Sequence, residues 1–180
     1  MNIKSTKTIN EAIELFISRR SIRSYQEREV SEEQIRAMLD AAMCAPSAVA
    51  TDPWRFVVLR TPEQKAAVAS GLPHGKMLAN ASVGFAVCGE IASAHTQHIS
   101  YLIQDCSAAI ENLLLAAHAM GLGAVWLGVH PREDRIAHVS KTLNLPEGII
   151  PISCIAVGYP AEKKPARSRY NKQYIHWEHW

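Results

Sequence analysis

The sequence predicts one domain of helices and strands built around a single sheet, of the α+β or α/β class. Three observations support this. Long segments with apolar residues at helical spacing alternate with short apolar runs of strand length. Capping residues, prolines and glycines punctuate the boundaries between them. The chain has 180 residues, 48% hydrophobic and 20% charged, enough for one domain with a sizeable core.

In the first segment, Ile9, Ala12, Ile13, Phe16 and Ile17 define an apolar helical face over 9–18, with Asn10 as its cap. Ser31-Glu32-Glu33-Gln34 is a capping box, and Ile35, Met38, Leu39, Ala42 and Met43 give the next helix its apolar face. That helix must stop near Ala45, because Pro46 disfavours helical geometry in the residue before it. Residues 46–53 form a loop of small residues, and 54–59 a strand. Thr61-Pro62-Glu63-Gln64 starts a third helix that ends by Gly71, and a turn-rich connection leads to a buried strand over 83–88. Residues 91–100 are polar and read as a loop. A long helix follows over 101–120, apolar almost all round from Asp105 onward and stopped by Gly121; such a helix belongs in a core or between subunits. A strand over 124–129, a helix over 131–143 and a last strand over 149–157 complete the core; Pro151 suits an edge strand or an early strand position. The remainder is basic, then aromatic, and is expected to dock on its own domain or on a partner.

A formal net charge of +2 argues against a nucleic-acid or membrane-surface binder. There is no apolar run of spanning length and no signal-peptide pattern at the N-terminus, so a cytoplasmic location is expected. Cys44, Cys88, Cys106 and Cys154 are scattered among apolar segments and read as reduced, mostly buried thiols. No metal site is expected; His95 and His98 are spaced i, i+3 but lack a third ligand and read as a solvated pair.

The chemistry is concentrated in Arg19-Arg20-Ser21-Ile22-Arg23, where three guanidiniums and a hydroxyl suit a phosphate. Three later stretches accompany it: 45–56 with Pro46-Ser47-Ala48 and Pro53-Trp54, 121–128 with Gly121-Leu122-Gly123 and Trp126-Leu127-Gly128, and Arg167-Ser168-Arg169. Gly121-Leu122-Gly123 follows a helix and precedes a strand, so it is not a dinucleotide-binding turn. In this order and at these distances the four stretches resemble the FMN-dependent nitroreductase family, over nearly the whole chain.

The resemblance implies an α+β nitroreductase-like fold, a central mixed but mostly antiparallel sheet flanked by helices, in a homodimer with FMN at the interface. Residues 1–180 would form one FMN-binding domain, with 159–180 a C-terminal extension packing on the domain or on the partner subunit. Arg19 and Ser21 match positions at the ribityl phosphate end, Arg20 one that acts largely through its backbone, and Arg23 one near the pyrimidine edge. Pro46, Ser47 and Ala48 match the loop lining the ring. Leu127 and Gly128 match backbone positions facing the reactive N5 edge, beside Trp126, and Arg167 and Arg169 match a late basic pair on the phosphate. NADH or NADPH would reduce FMN by hydride transfer, and an electrophilic small molecule, nitroaromatic or quinone-like, would be reduced next in a ping-pong scheme. No catalytic side chain is required, because the flavin carries the chemistry. Two positions depart from the family: Ala50 and Asp52 stand where Asn and Gln are usual, and Arg55 is expected to pair with Asp52. Those departures leave open a flavin-binding protein with little turnover, a sensor or store. A branch acting on reduced flavin or halogenated substrates is a further alternative.

Other polar or aromatic residues have plain structural readings. Trp54 reads as a core anchor, while Trp126 suits core or site equally. His118, Glu111 and Asn112 are expected to hydrogen-bond across an interface, and Asp105 to serve the N-terminal region of its helix.

Overall fold

The computed structural model describes residues 7–180. Its helices are α1 (Lys7–Ser18), α2 (Glu32–Met43), α3 (Pro62–Ser70), α4 (Lys76–Ala79), α5 (Ile99–Ala119) and α6 (Glu133–Leu143). Its strands are β1 (Trp54–Leu59), β2 (Val83–Glu90), β3 (Gly123–Gly128) and β4 (Ile149–Gly158). They form one sheet in the order β1-β2-β4-β3, with every neighbouring pair antiparallel. A parallel bridge from Ser21 to Ala124 adds the mixed element beside β3. The fold class is therefore α+β, as the sequence implied.

The two central strands are buried on both faces, and their alternation divides the core. Phe85, Val87, Ile155 and Val157 pack with Met38, Leu102, Ile110 and Leu113 from α2 and α5. Ala86, Cys88, Cys154 and Ala156 pack with Val68, Leu78 and Val139 from α3, α4 and α6. The sheet thus lies between two helical layers. Trp54 is buried in the first cluster, as a core anchor should be. Pro151 lies in central β4, opposite Cys88 where the β2–β4 register shifts, so it sits early in the strand at an irregularity and not at an edge.

The capping box at Ser31 forms as read: its hydroxyl accepts the Gln34 N–H at 3.2 Å, and the Gln34 side chain accepts the Ser31 N–H at 3.1 Å. Ser31→Ala is expected to cost about 1 kcal/mol, lowering Tm by about 2–4 °C in a thermal melt of a chain this size.

Several boundaries differ from the sequence reading. The α1 backbone is already helical at Lys7, so Asn10 is inside the helix and is not its cap. The segment after β2 contains two 3-10 turns, and α5 begins at Ile99, where His98 Nδ1 accepts the Ser100 N–H at 3.2 Å. Cys44 is exposed, while the other three cysteines are buried and their thiols are pushed up to about 12, chiefly by burial. Among the described residues no helix is long and apolar enough to cross a membrane.

Candidate cofactor-binding site

Residues 19–26 leave α1 as an extended segment laid against the start of β3. The Ile22 N–H donates to the Ala124 carbonyl at 3.0 Å. Gly123 makes this approach possible, since a Cβ there would lie 2.6 Å from Ile22 Cγ2. With Ile22 buried, strand alternation turns Ser21 and Arg23 outward. Tyr25 locks the far end: its hydroxyl reaches the carbonyls of Ile22 at 2.7 Å and Ala156 at 3.1 Å, and burial pushes its pKa up.

The chain after β4 then runs back along this segment. Gln26 N–H donates to Tyr159 O at 2.9 Å, Ala161 N–H to Ser24 O at 2.9 Å, and Arg167 N–H to Ile17 O at 3.4 Å. These bonds bring the two ends of the sequence together. Arg19, Arg20, Ser21, Arg23, Lys164 and Arg169 line one cleft of about 320 Å³. Arg167 and Arg169 join Arg19 and Arg20 in an adjoining cleft of about 240 Å³. The first cleft therefore presents five cationic side chains and a hydroxyl. Counter-charge is sparse: Arg19 Nε lies 3.2 Å from Glu111 Oε1 on the surface of α5. That contact lacks hydrogen-bond geometry, and the Nε atoms of Arg19 and Arg20 are both buried without a partner.

Lys164 and Glu162 are the residues that sequence reasoning missed; Lys164 reads only as part of a basic tail, and Glu162 carries no signal at all. Lys164 Nζ donates to Ser21 O at 2.7 Å and to Glu162 Oε1 at 3.1 Å, and Glu162 accepts the Arg23 N–H at 2.6 Å. The Arg23 N–H and the Lys164 ammonium hold the Glu162 carboxyl below its usual range. Together they pin the Arg segment to the tail. No local motif marks either residue.

The remaining predicted site residues lie elsewhere. Gly128 is four residues beyond Ala124 on β3, about 13 Å along the strand. Leu127 turns its side chain into the α6 layer and so offers only backbone to the opposite face. Trp126 is 37% exposed. A Cβ at Gly128 would meet nothing within 4 Å, so the space before it is open, and Arg135 Nη1 donates to the Gly128 carbonyl at 2.8 Å. Pro46, Ser47 and Ala48 line neither Arg cleft. They sit against the first half of α5, where the Ala48 N–H donates to Asp105 Oδ1 at 3.0 Å. Glu111 and His118, which meet Arg19 and Ser18, lie about 9 and 20 Å further along that helix. One chain thus assembles the Arg clefts but does not bring the 46–48 loop to them.

Two side-chain expectations need correction, and two further side chains find partners within the chain. The Asp52 carboxylate does not pair with the Arg55 side chain. Ser47 Oγ donates to Asp52 Oδ1 at 2.6 Å, while Arg55 binds the Glu90 carboxylate and reaches the Asp52 backbone carbonyl at 3.3 Å. Asp105 is not at its helix terminus, because α5 starts six residues earlier. Asn112 Nδ2 donates to Ala41 O at 3.0 Å within the chain. His118 also bonds within the chain, to Ser18 Oγ at 2.8 Å. The loop itself is bent by three non-glycine residues at positive φ, Val49 (48°), Ala50 (55°) and Asp52 (48°). Asn tolerates that geometry better than the Ala50 found here.

Burial and the neighbouring Arg19 lower the His118 pKa, so the folded state favours neutral imidazole. The unfolded state then binds more protons as pH falls below the free-histidine range. Stability should drop as pH falls from neutrality through the folded pKa. Urea midpoints at pH 7 and pH 5 should differ less for His118→Gln than for the unmodified protein.

A family model described as the nitroreductase family matches residues 17–72 and 67–159. The chain belongs to the nitroreductase family. A relative from Methanothermobacter thermautotrophicus, provisionally named an NADH dehydrogenase/NAD(P)H nitroreductase, is 45% identical over 94% of this chain and 88% of its own. A crystal structure of a similarly named protein from Parabacteroides distasonis superposes with a TM-score of 0.89 at 40% identity, covering 95% of this chain and 99% of that chain. A structure from Desulfovibrio desulfuricans, provisionally a nitroreductase in complex with FMN, gives a TM-score of 0.81 at 30% identity, over 95% and 98% of the two chains.

Proposed function

We propose that this nitroreductase-family protein is an NAD(P)H-dependent FMN oxidoreductase. The observation that carries this reading is the cleft of five cations and a serine hydroxyl. A phosphate monoester brings close to two negative charges and three acceptor oxygens, and the unpartnered Nε donors of Arg19 and Arg20 suit them. The chemistry of this donor set fits FMN.

In this reading Arg19, Ser21, Arg167 and Arg169 hold the phosphate, with Arg20 and Lys164 beside them. Arg23 lies toward the pyrimidine edge, where a fixed guanidinium favours negative charge developing on the ring. Leu127 and Gly128 offer backbone toward N5, with Trp126 alongside. When bound, FMN supplies the redox chemistry: hydride acceptance from NADH or NADPH, then reduction of an electrophilic nitroaromatic or quinone-like acceptor. Donor and acceptor would use one open space in turn, a ping-pong order, and the chain's task is to bind, orient and polarise.

The 46–48 loop would reach a ring only in a second subunit, which makes the working form a homodimer. Apolar exposure supports this: Phe16 on α1, Met43 at the end of α2, Val49, and Tyr170, Tyr174 and Trp177 in the tail are all exposed in the single chain. The tail beyond about residue 164 would then pack on the partner. An exposed Cys44 suits a reducing, cytoplasmic setting.

The test is direct. The purified protein, incubated with FMN and desalted, should retain a visible flavin spectrum and bleach rapidly on mixing with NADH or NADPH. A colourless protein defeats the reading. Retained flavin that bleaches slowly or not at all favours the sensor or store, which Ala50 at φ 55° motivates because it lacks the amide usual at that position.

A further inference from the structure

A buried hydroxyl is costly unless it serves a bond, and the sheet core holds one that the cofactor site does not use. Ser153, in central β4, is fully buried between the core residues Ile152 and Cys154. Its Oγ donates to the Leu127 carbonyl at 3.1 Å and lies 3.3 Å from the Cys154 carbonyl. The Leu127 carbonyl therefore points across the sheet toward β4. Strand alternation agrees: the Ala124 carbonyl points outward to the Ile22 N–H, so the carbonyl three residues on points inward.

The Leu127–Gly128 peptide is trans, and in a trans peptide the N–H points opposite to the C=O. The Gly128 N–H thus leaves the sheet on its outer side. β3 is the edge strand on that side, and the extended segment after α1 covers it at Ala124. At Gly128 the space is open, and no acceptor among the described residues meets the N–H there.

A glycine at the end of an edge strand is free to turn. Two bonds, one on each peptide plane beside the Gly128 Cα, remove that freedom. Ser153 holds the plane before it, and polarisation through that amide strengthens the N–H as a donor. Arg135 holds the plane after it, with Nη1 donating to the Gly128 carbonyl at 2.8 Å in a charge-assisted bond. Arg135 is not placed to benefit its own helix. It lies in the first turn of α6, where the helix dipole disfavours a cation. Neither residue lines the Arg-rich clefts.

Resting on the flavin reading, which puts Gly128 at the N5 edge, we propose that Ser153 and Arg135 are positioning residues. Together they fix the Gly128 N–H as the donor aimed at N5, one from the buried side of the strand and one from α6.

The test uses the full-length protein and uniformly ¹⁵N-labelled FMN, followed by NMR. Without flavin the Gly128 amide should exchange freely with solvent, and FMN should slow that exchange by about tenfold or more. In the complex, Ser153→Ala and Arg135→Ala should each move the N5 resonance downfield, the direction of a weakened hydrogen bond, while N3 and N10 hold their positions. FMN affinity should stay within about threefold, toward the lower end of what one hydrogen bond is worth. Arg135→Lys, which keeps a cationic donor, should return the N5 resonance toward its unmodified position. A variant that lowers Tm but leaves the N5 resonance in place has a structural role only, and that result overturns the assignment of that residue. A Gly128 amide already protected without flavin overturns the assignment of both. A protein that retains no FMN defeats the flavin reading itself, whereas retained FMN with N5 unmoved defeats this inference alone.

Discussion

Arg19→Ala is expected to weaken FMN binding by about 1.5–3 kcal/mol, the worth of a hydrogen bond to a charged group, or roughly 10- to 150-fold in Kd. The expectation rests on position. Arg19 lines both Arg-rich clefts, and its buried Nε has no hydrogen-bond partner among the described residues. Its neighbour Glu111 sharpens the test. The Arg19–Glu111 contact at 3.2 Å is partly exposed, so it contributes no more than about 1 kcal/mol to folding. Near a bound phosphate the same carboxylate is a like charge. Glu111→Gln should therefore tighten FMN binding by a few-fold, and the double variant should lose more than Glu111→Gln alone gains. Fluorescence titration measures all four affinities. Unchanged affinity in Arg19→Ala would mean that the phosphate lies elsewhere.

Much of this cationic cluster could be read before any coordinates, but only half of how it is made. The Arg19–Arg23 and Arg167–Arg169 stretches announce themselves by composition, and the structure puts both around the same clefts. The contacts that join them are invisible in sequence. Arg23 and Glu162 are 139 positions apart, Ser21 and Lys164 are 143 apart, and neither pair has a local pattern. Lys164 looks like any solvated lysine until the chain after β4 returns along the Arg segment. The same division holds for the fold. Helix α2 was legible because its capping box is a local device, and the end of α5 because Gly121 takes a positive φ. The sheet order, and the placing of Pro151 in a central strand, depend on long-range pairing that no window of sequence contains. Asp105 failed for a related reason. A carboxylate near a helix start invites a local electrostatic role, whereas its partner is 57 residues away in the 46–48 loop.

That carboxylate governs the second large expected effect. Asp105 is 5% exposed, its Oδ1 accepts the Ala48 N–H at 3.0 Å, and its Oδ2 is buried without a partner. The loop it holds is not at rest by itself. Three non-glycine residues at positive φ each cost on the order of 1–3 kcal/mol, and the β-branched Val49 is among the least tolerant of such a backbone. Within the loop, Ser47 Oγ and Asp52 bond reciprocally at 2.6 and 3.0 Å, and these bonds offset part of that cost. Asp105 ties the result to α5. Asp105→Ala removes an ionised acceptor from the Ala48 N–H and should destabilise the protein by about 1.5–3 kcal/mol, a fall in Tm of roughly 3–12 °C. Asp105→Asn keeps an acceptor of the same shape and removes a buried charge with one unsatisfied oxygen, so it should lie within about 0.5 kcal/mol of the unmodified protein. If the 46–48 loop lines the ring and the Arg-rich clefts hold the phosphate, Asp105→Ala should also reduce turnover more than FMN affinity, since those clefts do not include Asp105. Thermal melts and steady-state rates on the two variants separate these effects. Equal damage from Asn and Ala would show that the charge matters and not the acceptor, and an unaffected Ala variant would leave the Ser47–Asp52 pair as the sole restraint on the loop.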